Sequence, residues 1–435
     1  LIVCAVGVVL PAAHFTCPAQ KSREIFARGM NMKKPEILSP AGDFSRMRSA
    51  ILFGADAVYL AGSEFGMRTA AKNFKADELT RAVEYAHARG VSVYVTLNTM
   101  PRCDEIVRMP EFITQLDAAG VDAVIVADIG VLRLVQRYAP RLAIHISTQA
   151  SIVNDESARA WHELGAKRVV LARELSLDEI ATIRAKTPPE LEIETFVHGA
   201  MCISYSGRCL LSNFMTGRDA NRGNCAQSCR WNYALVEETR PGEYFPVYED
   251  GGTFILNSKD LCMISHIPEL VRAGISSFKI EGRVKTEYYN ATITNAYRLA
   301  LDAYFNAPEQ WNPQGIWADE VRKVSHREYY TGFYFGEDMG QHYGDSSYIR
   351  EWEIVGMIET CGEDGVAELT LKNRFAVGET LEILAPRRAP ETFHVVALAD
   401  DAGNALAEAI HPQMRVRLRL PHAVPAGSFL RRERR

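Results

Sequence analysis

One device recurs along this chain and limits what it can fold into: a glycine, two or three further residues, then a short apolar run. Gly54-Ala-Asp56-Ala, Gly120-Val-Asp122-Ala, Gly165-Ala-Lys167-Arg and Gly274-Ile-Ser276-Ser each lead into such a run. A glycine there can adopt the left-handed backbone that ends a helix, after which the chain turns straight into a buried strand. Eight runs read as strands: EILSP (36–40), AVYLAG (57–62), VYVTLN (93–98), AVIVAD (123–128), AIHIST (143–148), RVVLAR (168–173), EIETFV (192–197) and SFKIEG (277–282). Amphipathic stretches alternate with them, the pattern of β-α units on a parallel sheet. Eight such units in about 250 residues is the size of a (β/α)8 barrel of the TIM type. A doubly wound open sheet is the competing reading, but no G-x-G-x-x-G follows the first strand.

The barrel is expected over residues 33–306, with a cysteine-rich insertion at 200–256 after the seventh strand. A helix is expected from Asn257 through NSKDLCMISHIPELVRAG, and a long amphipathic one over 286–304. Pro308, Trp311, Pro313 and Gly315 mark a connection over 307–349. From 350 to 430 alternating runs such as EWEIVGMIE and VAELTLKN predict a small C-terminal β-barrel or sandwich. The opening LIVCAVGVVLPAAHF lacks a basic segment before it and a small-x-small site after it, and is short for a bilayer span. Residues 1–31 are therefore read as an upstream extension outside the fold.

In such a barrel, chemistry belongs at the C-terminal ends of the strands. Tyr59, Arg173, His198, Lys279, Glu281 and Arg283 stand there, beside Asn98, Asp128, Ser147 and Gln149. For any single one of these, the bland alternative is a loop cap. The cysteines are more telling. Of nine in the chain, four crowd one segment as Cys202-x6-Cys209-x15-Cys225-x3-Cys229, and Cys262 follows as a fifth. So few, so clustered, they suit a reducing cytoplasm rather than a disulfide scaffold. Soft sulfur donors select zinc, copper(I) or iron–sulfur clusters. Zinc prefers two tight pairs, whereas a 4Fe-4S cluster accepts irregular spacing, so the spacing fits the cluster better. Buried free thiols are the structural alternative.

The net charge of −5 announces no global field for nucleic acid, so an RNA contact needs a local patch. The cysteine segment supplies one: Arg208, Arg218, Arg222 and Arg230, interleaved with Tyr205, Phe214, Trp231 and Tyr233. Arginines grip phosphates and aromatic faces stack unpaired bases, as in the binding of single-stranded RNA loops. Capping and salt bridges are the alternative use of these arginines.

The string Glu194-x-Phe196-x2-Gly199-Ala200-Met201-Cys202-x4-Gly207-x-Cys209-x-Leu211-Ser212 resembles the signature of peptidase family U32, the collagenase-like proteins. LSPAGD (38–43), GADAVYL (54–60), NSKDL (257–261) and KIEGR (279–283) support it, and the resemblance covers roughly 33–430. RELSLDEI, GRCLLS and the CxxxCRW ending are most similar to the RNA-hydroxylating members. That resemblance implies oxygen-independent, prephenate-dependent hydroxylation of uridine 34 in a tRNA anticodon loop to 5-hydroxyuridine. It also implies a 4Fe-4S cluster on Cys202, Cys209, Cys225 and Cys229, with Cys262 competing for the fourth place. Arg173, His198, Lys279 and Arg283 are then expected to hold phosphate or the carboxylates of a prephenate-like acid, with Tyr59 beside the substrate. Glu281 and His198 are expected to move protons. Two rivals remain open: a peptidase, for which neither H-E-x-x-H nor G-x-S-x-G is present, and an RNA-binding module with a purely structural cluster.

Overall fold

The computed structural model describes residues 33–62, 64–67, 73–202, 204–206, 208–231, 234–236, 244–246, 258–336 and 348–434. The segment 1–31 and Tyr233 lie outside the described residues.

The eight expected strands are β1 (Glu36–Pro40), β2 (Ala57–Leu60), β3 (Ser92–Leu97), β4 (Ala123–Val126), β5 (Ala143–Ile146), β6 (Arg168–Val170), β7 (Glu192–Ala200) and β8 (Ser277–Ile280). They pair in parallel in chain order, and β8 closes the cylinder by pairing with both β7 and β1. The lead-in glycines work as their chemistry suggests: Gly54, Gly120, Gly165 and Gly274 have φ of +110°, +77°, +102° and +76°. Several strands end two or three residues before the apolar run does, because the last residues already leave the sheet as loops over the mouth.

Alternation along the strands divides the side chains. Val58, Val93, Val124, Val169 and Phe278 face outward and join the main core beneath the helices. Leu38, Tyr59, Tyr94, Ala123 and Ile125 pack inside the barrel. The rest of the interior is ionic. Arg168 binds Glu36 at 2.7 Å, Glu192 at 2.6 Å and Glu194 at 3.1 Å, and Lys279 Nζ meets the other oxygen of Glu194 at 2.6 Å. Tyr94 donates its hydroxyl to Glu36 at 2.7 Å. Charges this deep persist only when each finds partners.

Two expectations need correction. The helix expected from Asn257 begins only at Ile267, with Pro268 in its first turn; Asp260–Cys262 is instead a strand, antiparallel to the end of β7. Its partner residues, His198–Ala200, stand beyond the parallel barrel and offer an edge that no local sequence cue reveals. Tyr329–Tyr330, within the stretch read as a connection, pairs in parallel with Asp260–Leu261. At the C-terminus, eight antiparallel strands from Trp352 to Glu433 form one sheet in an open order. Its edges, Glu391–His394 and Ala405–Leu406, do not pair with each other, so hydrogen bonds do not close it into a barrel.

The helix Glu287–Asn306, capped by Thr286, seats that sheet on the barrel. Asn295 donates to the Arg388 carbonyl and accepts from the Arg387 amide, while Tyr288 and Phe53 pack on Phe429. Below them Arg431, fully buried, is held by Glu320 at 2.6 Å and Glu382 at 2.5 Å, and Lys323 bridges the same two carboxylates.

Candidate active site

A cavity of about 180 Å³ opens at the C-terminal ends of the strands, lined by Tyr59, Thr96, Asn98, Ser147, Gln149, Arg173, Phe196, Lys279, Glu281 and Arg283 from the barrel. Its outer wall is the cysteine segment, which contributes Cys202, Cys209, Cys225, Cys229 and Arg230, while Lys285 and Tyr348 stand at the rim. The volume is below the range of drug-sized ligand pockets and suits a single base or a small acid.

Nearest the barrel interior, the Lys279 ammonium lies 4.6 Å from the centre of the Tyr59 ring and 5.4 Å from that of Phe196. Burial pulls its pKa down, and the Glu194 carboxylate opposes that pull. Arg173 Cζ lies over Phe196, 3.8 Å from the ring centre, and its guanidinium donates to the Ala200 carbonyl at 2.7 Å. Its Nε and the Gln149 Oε1 have no partner among the described residues. Arg283 donates to Thr96 Oγ1 at 3.3 Å, and Asn98 donates to Ser147 at 3.1 Å. Asp128 follows the bland reading: it caps the helix Ile129–Tyr138 by accepting from the Val131 amide. Lys285, Tyr348 and the Glu194 partnership were not foreseen; Glu194 was visible only as a letter in a motif.

His198 does not reach the cavity. Strict alternation along β7 would point Glu194, Phe196 and His198 the same way. The pairing with β8 slips, however, so that Lys279 faces Phe196 while Ile280 faces His198. The extra residue is a β-bulge, and it turns His198 to the outer side with Ile280. There its ring lies among Tyr289, Tyr297 and Tyr329. Burial, then the charges of His326 and Lys285, lower its pKa to about 3. Cys262, paired in register with His198, shares that outer pocket, and burial pushes its thiol up to about 12.

The four remaining thiols share the cavity wall. Burial raises the pKa of Cys229; Arg230 opposes this, and Cys202, Cys225 and Cys209 each add to it, as neighbouring thiolates must. Among the described residues no three His, Cys, Asp or Glu side chains converge as for one metal ion. One tetrahedral zinc, bonded at about 2.3 Å, needs its sulfurs in contact around it. Four thiols on one cavity wall are the soft donor set that an iron–sulfur cluster takes, one thiolate to each iron.

The arginines of the segment divide. Arg222 is bound to Glu105, and Arg230 donates to the Met201 carbonyl at 3.2 Å. Arg218 bonds Asn224 and the Cys225 carbonyl from an exposed position, and Arg208 is exposed. Tyr205, Phe214 and Trp231 are exposed around them, Phe214 by 85%.

The model of Peptidase family U32 matches residues 42–343, and that of the Peptidase family U32 C-terminal domain matches 350–431. The chain belongs to peptidase family U32. Among its U32 relatives, the tRNA hydroxylation protein P1 of Bacillus subtilis is 38% identical over 92% of this chain and 95% of its own length. The tRNA hydroxylation protein P of Escherichia coli is 36% identical, covering 82% of this chain and 87% of its own. A protein named collagenase from Porphyromonas gingivalis is 32% identical, over 82% of this chain and 88% of its own. The U32 signature acquires a physical meaning here. Glu194 holds Lys279, Phe196 carries Arg173, and Ser212 ties the loop by accepting from the Ala226 amide and donating to the Arg218 carbonyl. Gly199 has φ +108°, and a Cβ there would stand 2.8 Å from the Glu281 carbonyl oxygen. No helix among the described residues is long and apolar enough to cross a membrane.

Proposed function

We propose that this protein hydroxylates a pyrimidine of tRNA, converting uridine 34 of an anticodon loop to 5-hydroxyuridine with prephenate as co-substrate. The observation that carries the reading is a base-sized, cation-rich cavity walled by four thiols, in a chain aligned almost end to end with relatives named for tRNA hydroxylation. Cys202, Cys209, Cys225 and Cys229 would hold a 4Fe-4S cluster, which when bound supplies one-electron chemistry beside the base. Cys229 is preferred to Cys262 because it shares the cavity with the other three.

The chain's own residues then have definite roles. Tyr59 and Phe196 line the pocket for a flipped-out base and carry Lys279 and Arg173 on their faces, and the Gln149 Oε1 can accept from its N3–H. Arg173, Arg283 and Lys279 can bind the carboxylates of a small acid, guanidinium geometry favouring two-point contact. Glu281, whose side chain reaches the cavity, can hold or pass a proton there. Arg208 and Arg218, with Tyr205, Phe214 and Trp231, form an exposed basic and aromatic rim for the surrounding loop. A cysteine peptidase fits less well, since among the described residues no histidine lines the cavity to activate a thiol and His198 faces the other way.

Nucleoside mass spectrometry of tRNA from cells lacking the gene tests the reading. Loss of 5-hydroxyuridine, restored by the wild-type gene and not by Cys209→Ser, is the expected result. Unchanged tRNA together with gelatin cleavage by purified protein would turn the conclusion to the peptidase.

A further inference from the structure

Next to Cys229, two guanidiniums hang on one stretch of backbone: Arg230 and the Ser258 hydroxyl both donate to the Met201 carbonyl, and Arg327 donates to the Ser258 carbonyl. Arg327 is 4% exposed, and its pKa is pulled down first by burial and then by the charge of Arg230. Among the described residues Arg327 Nη1 donates to the Ser258 carbonyl at 3.4 Å, and its Nε has no partner. Its head lies 5.2 Å from the Tyr348 ring, which Lys285 also approaches at 4.5 Å. Asp260 is the carboxylate that both arginines sense, with Glu281 a further one for Arg230. One of its oxygens accepts from the Arg327 backbone amide, and the other has no partner among the described residues.

Desolvated like charges at short range are costly unless something negative sits beside them. Arg230 directly follows Cys229 in the chain, and after Tyr348 and Asp260 the charge of Cys229 acts on both arginines. Four thiolates around a four-iron cluster make an anion, and adding one electron adds one more negative charge. Buried positive charge favours the state that carries it, and net local charge is one of the levers on cluster potential.

We infer that Arg230 and Arg327 form a charge-compensating pair for the metal centre on Cys202, Cys209, Cys225 and Cys229, raising its reduction potential. This rests on the cluster reading above. Arg230 also acts as a tie, since its bond to the Met201 carbonyl fastens the end of the cysteine segment to its beginning, next to Cys202. Both are positioning residues, since neither needs to touch RNA.

The test uses anaerobically purified full-length protein, assayed for iron and sulfide and then titrated with dithionite through redox mediators while cluster absorbance is followed. Arg327→Gln should keep iron and be about tenfold less reduced at a given potential, which is 59 mV for one electron. Arg327→Lys, which keeps the charge, should return most of the shift, and Arg230→Gln should move the potential the same way as Arg327→Gln. If Gln loses iron while Lys keeps it, charge is needed for assembly and the pair stands. Full iron with unchanged potential in both Gln variants overturns it, as does loss of iron in Lys and Gln alike, which would make the role one of packing. Wild-type protein without iron or sulfide would instead sink the cluster reading, and this inference with it.

Discussion

The ion network beneath the C-terminal sheet is sealed, whereas the one along the barrel axis opens into a cavity. Beneath the sheet, Arg431 and Lys323 meet Glu320 and Glu382, two charges of each sign, with Trp352 against both cations. Nothing is left over. Along the barrel, Glu36, Glu192 and Glu194 gather on Arg168 at one end, and Lys279 carries the chain of pairs upward. Above Lys279 the balance reverses, with Arg173, Arg230, Arg283 and Lys285 around Glu281. Balanced buried charge holds two domains in one geometry; surplus cationic charge facing a cavity is arranged for something that arrives from outside.

The comparison breaks first at the thiols. Cys209→Ser should lower tRNA modification by at least about a hundredfold, a metal ligand mattering more than the outer partners whose loss costs 10–100-fold. Iron per folded chain should fall with it, while urea unfolding of the C-terminal sheet stays put. Glu320→Gln is the converse. It leaves Arg431 short of a partner at a sealed site and should cost about 3–5 kcal/mol in urea unfolding, with iron per folded chain unchanged. If that variant were as stable as wild type, the sealed network would be ornament and the contrast would fail.

Lys279→Met removes a cation shared by both functions of the barrel network. Glu194 keeps Arg168, so the stability cost should be only about 1–3 kcal/mol, but modification should drop more than tenfold. A drop in stability without one in turnover would make the upper end of the network structural too.

Acid should act through the buried imidazoles. His198 is held near 3, and His145, inside the barrel beside Arg168 and Lys279, is also pushed well below the usual value, by burial first. An unfolded histidine takes its proton near 6.5, one the folded residue refuses. Stability from these groups is therefore full above about pH 6.5 and falls as pH drops toward 3, by at most about 1.4 kcal/mol per pH unit for each. Urea midpoints between pH 7 and 4.5 should show the slope, and His198→Gln should flatten it. The smallest effect belongs to the rim. Arg218→Ala should leave stability within about 0.5 kcal/mol, weaken tRNA binding, and reduce the salt dependence of that binding by roughly one phosphate contact.

Legibility followed the range of the interaction. The eight strands were readable because glycine φ, strand burial and helix amphipathicity act within about ten residues, and Gly54, Gly120, Gly165 and Gly274 announce four of them. The cysteine segment was readable because four thiols in so short a stretch are chemically unusual wherever the chain goes. His198 was misplaced because the bulge between β7 and β8 depends on a register set some eighty residues apart, which flips one side chain to the far face. The strand Asp260–Cys262 was missed for a related reason: it pairs with an edge that exists only once β7 outruns the barrel.

By itself, then, the sequence determined the barrel, the order of its units and the stock of sulfur and cationic groups near its mouth, since these follow from local backbone preference and composition. Only the tertiary structure decided which of those groups meet. It separated Cys262 from the other thiols, withdrew His198 and Arg222, and tied Arg327 through Ser258 to the start of the cysteine segment, because contact across a closed cylinder is fixed by register and bulge, which no stretch of neighbouring residues encodes.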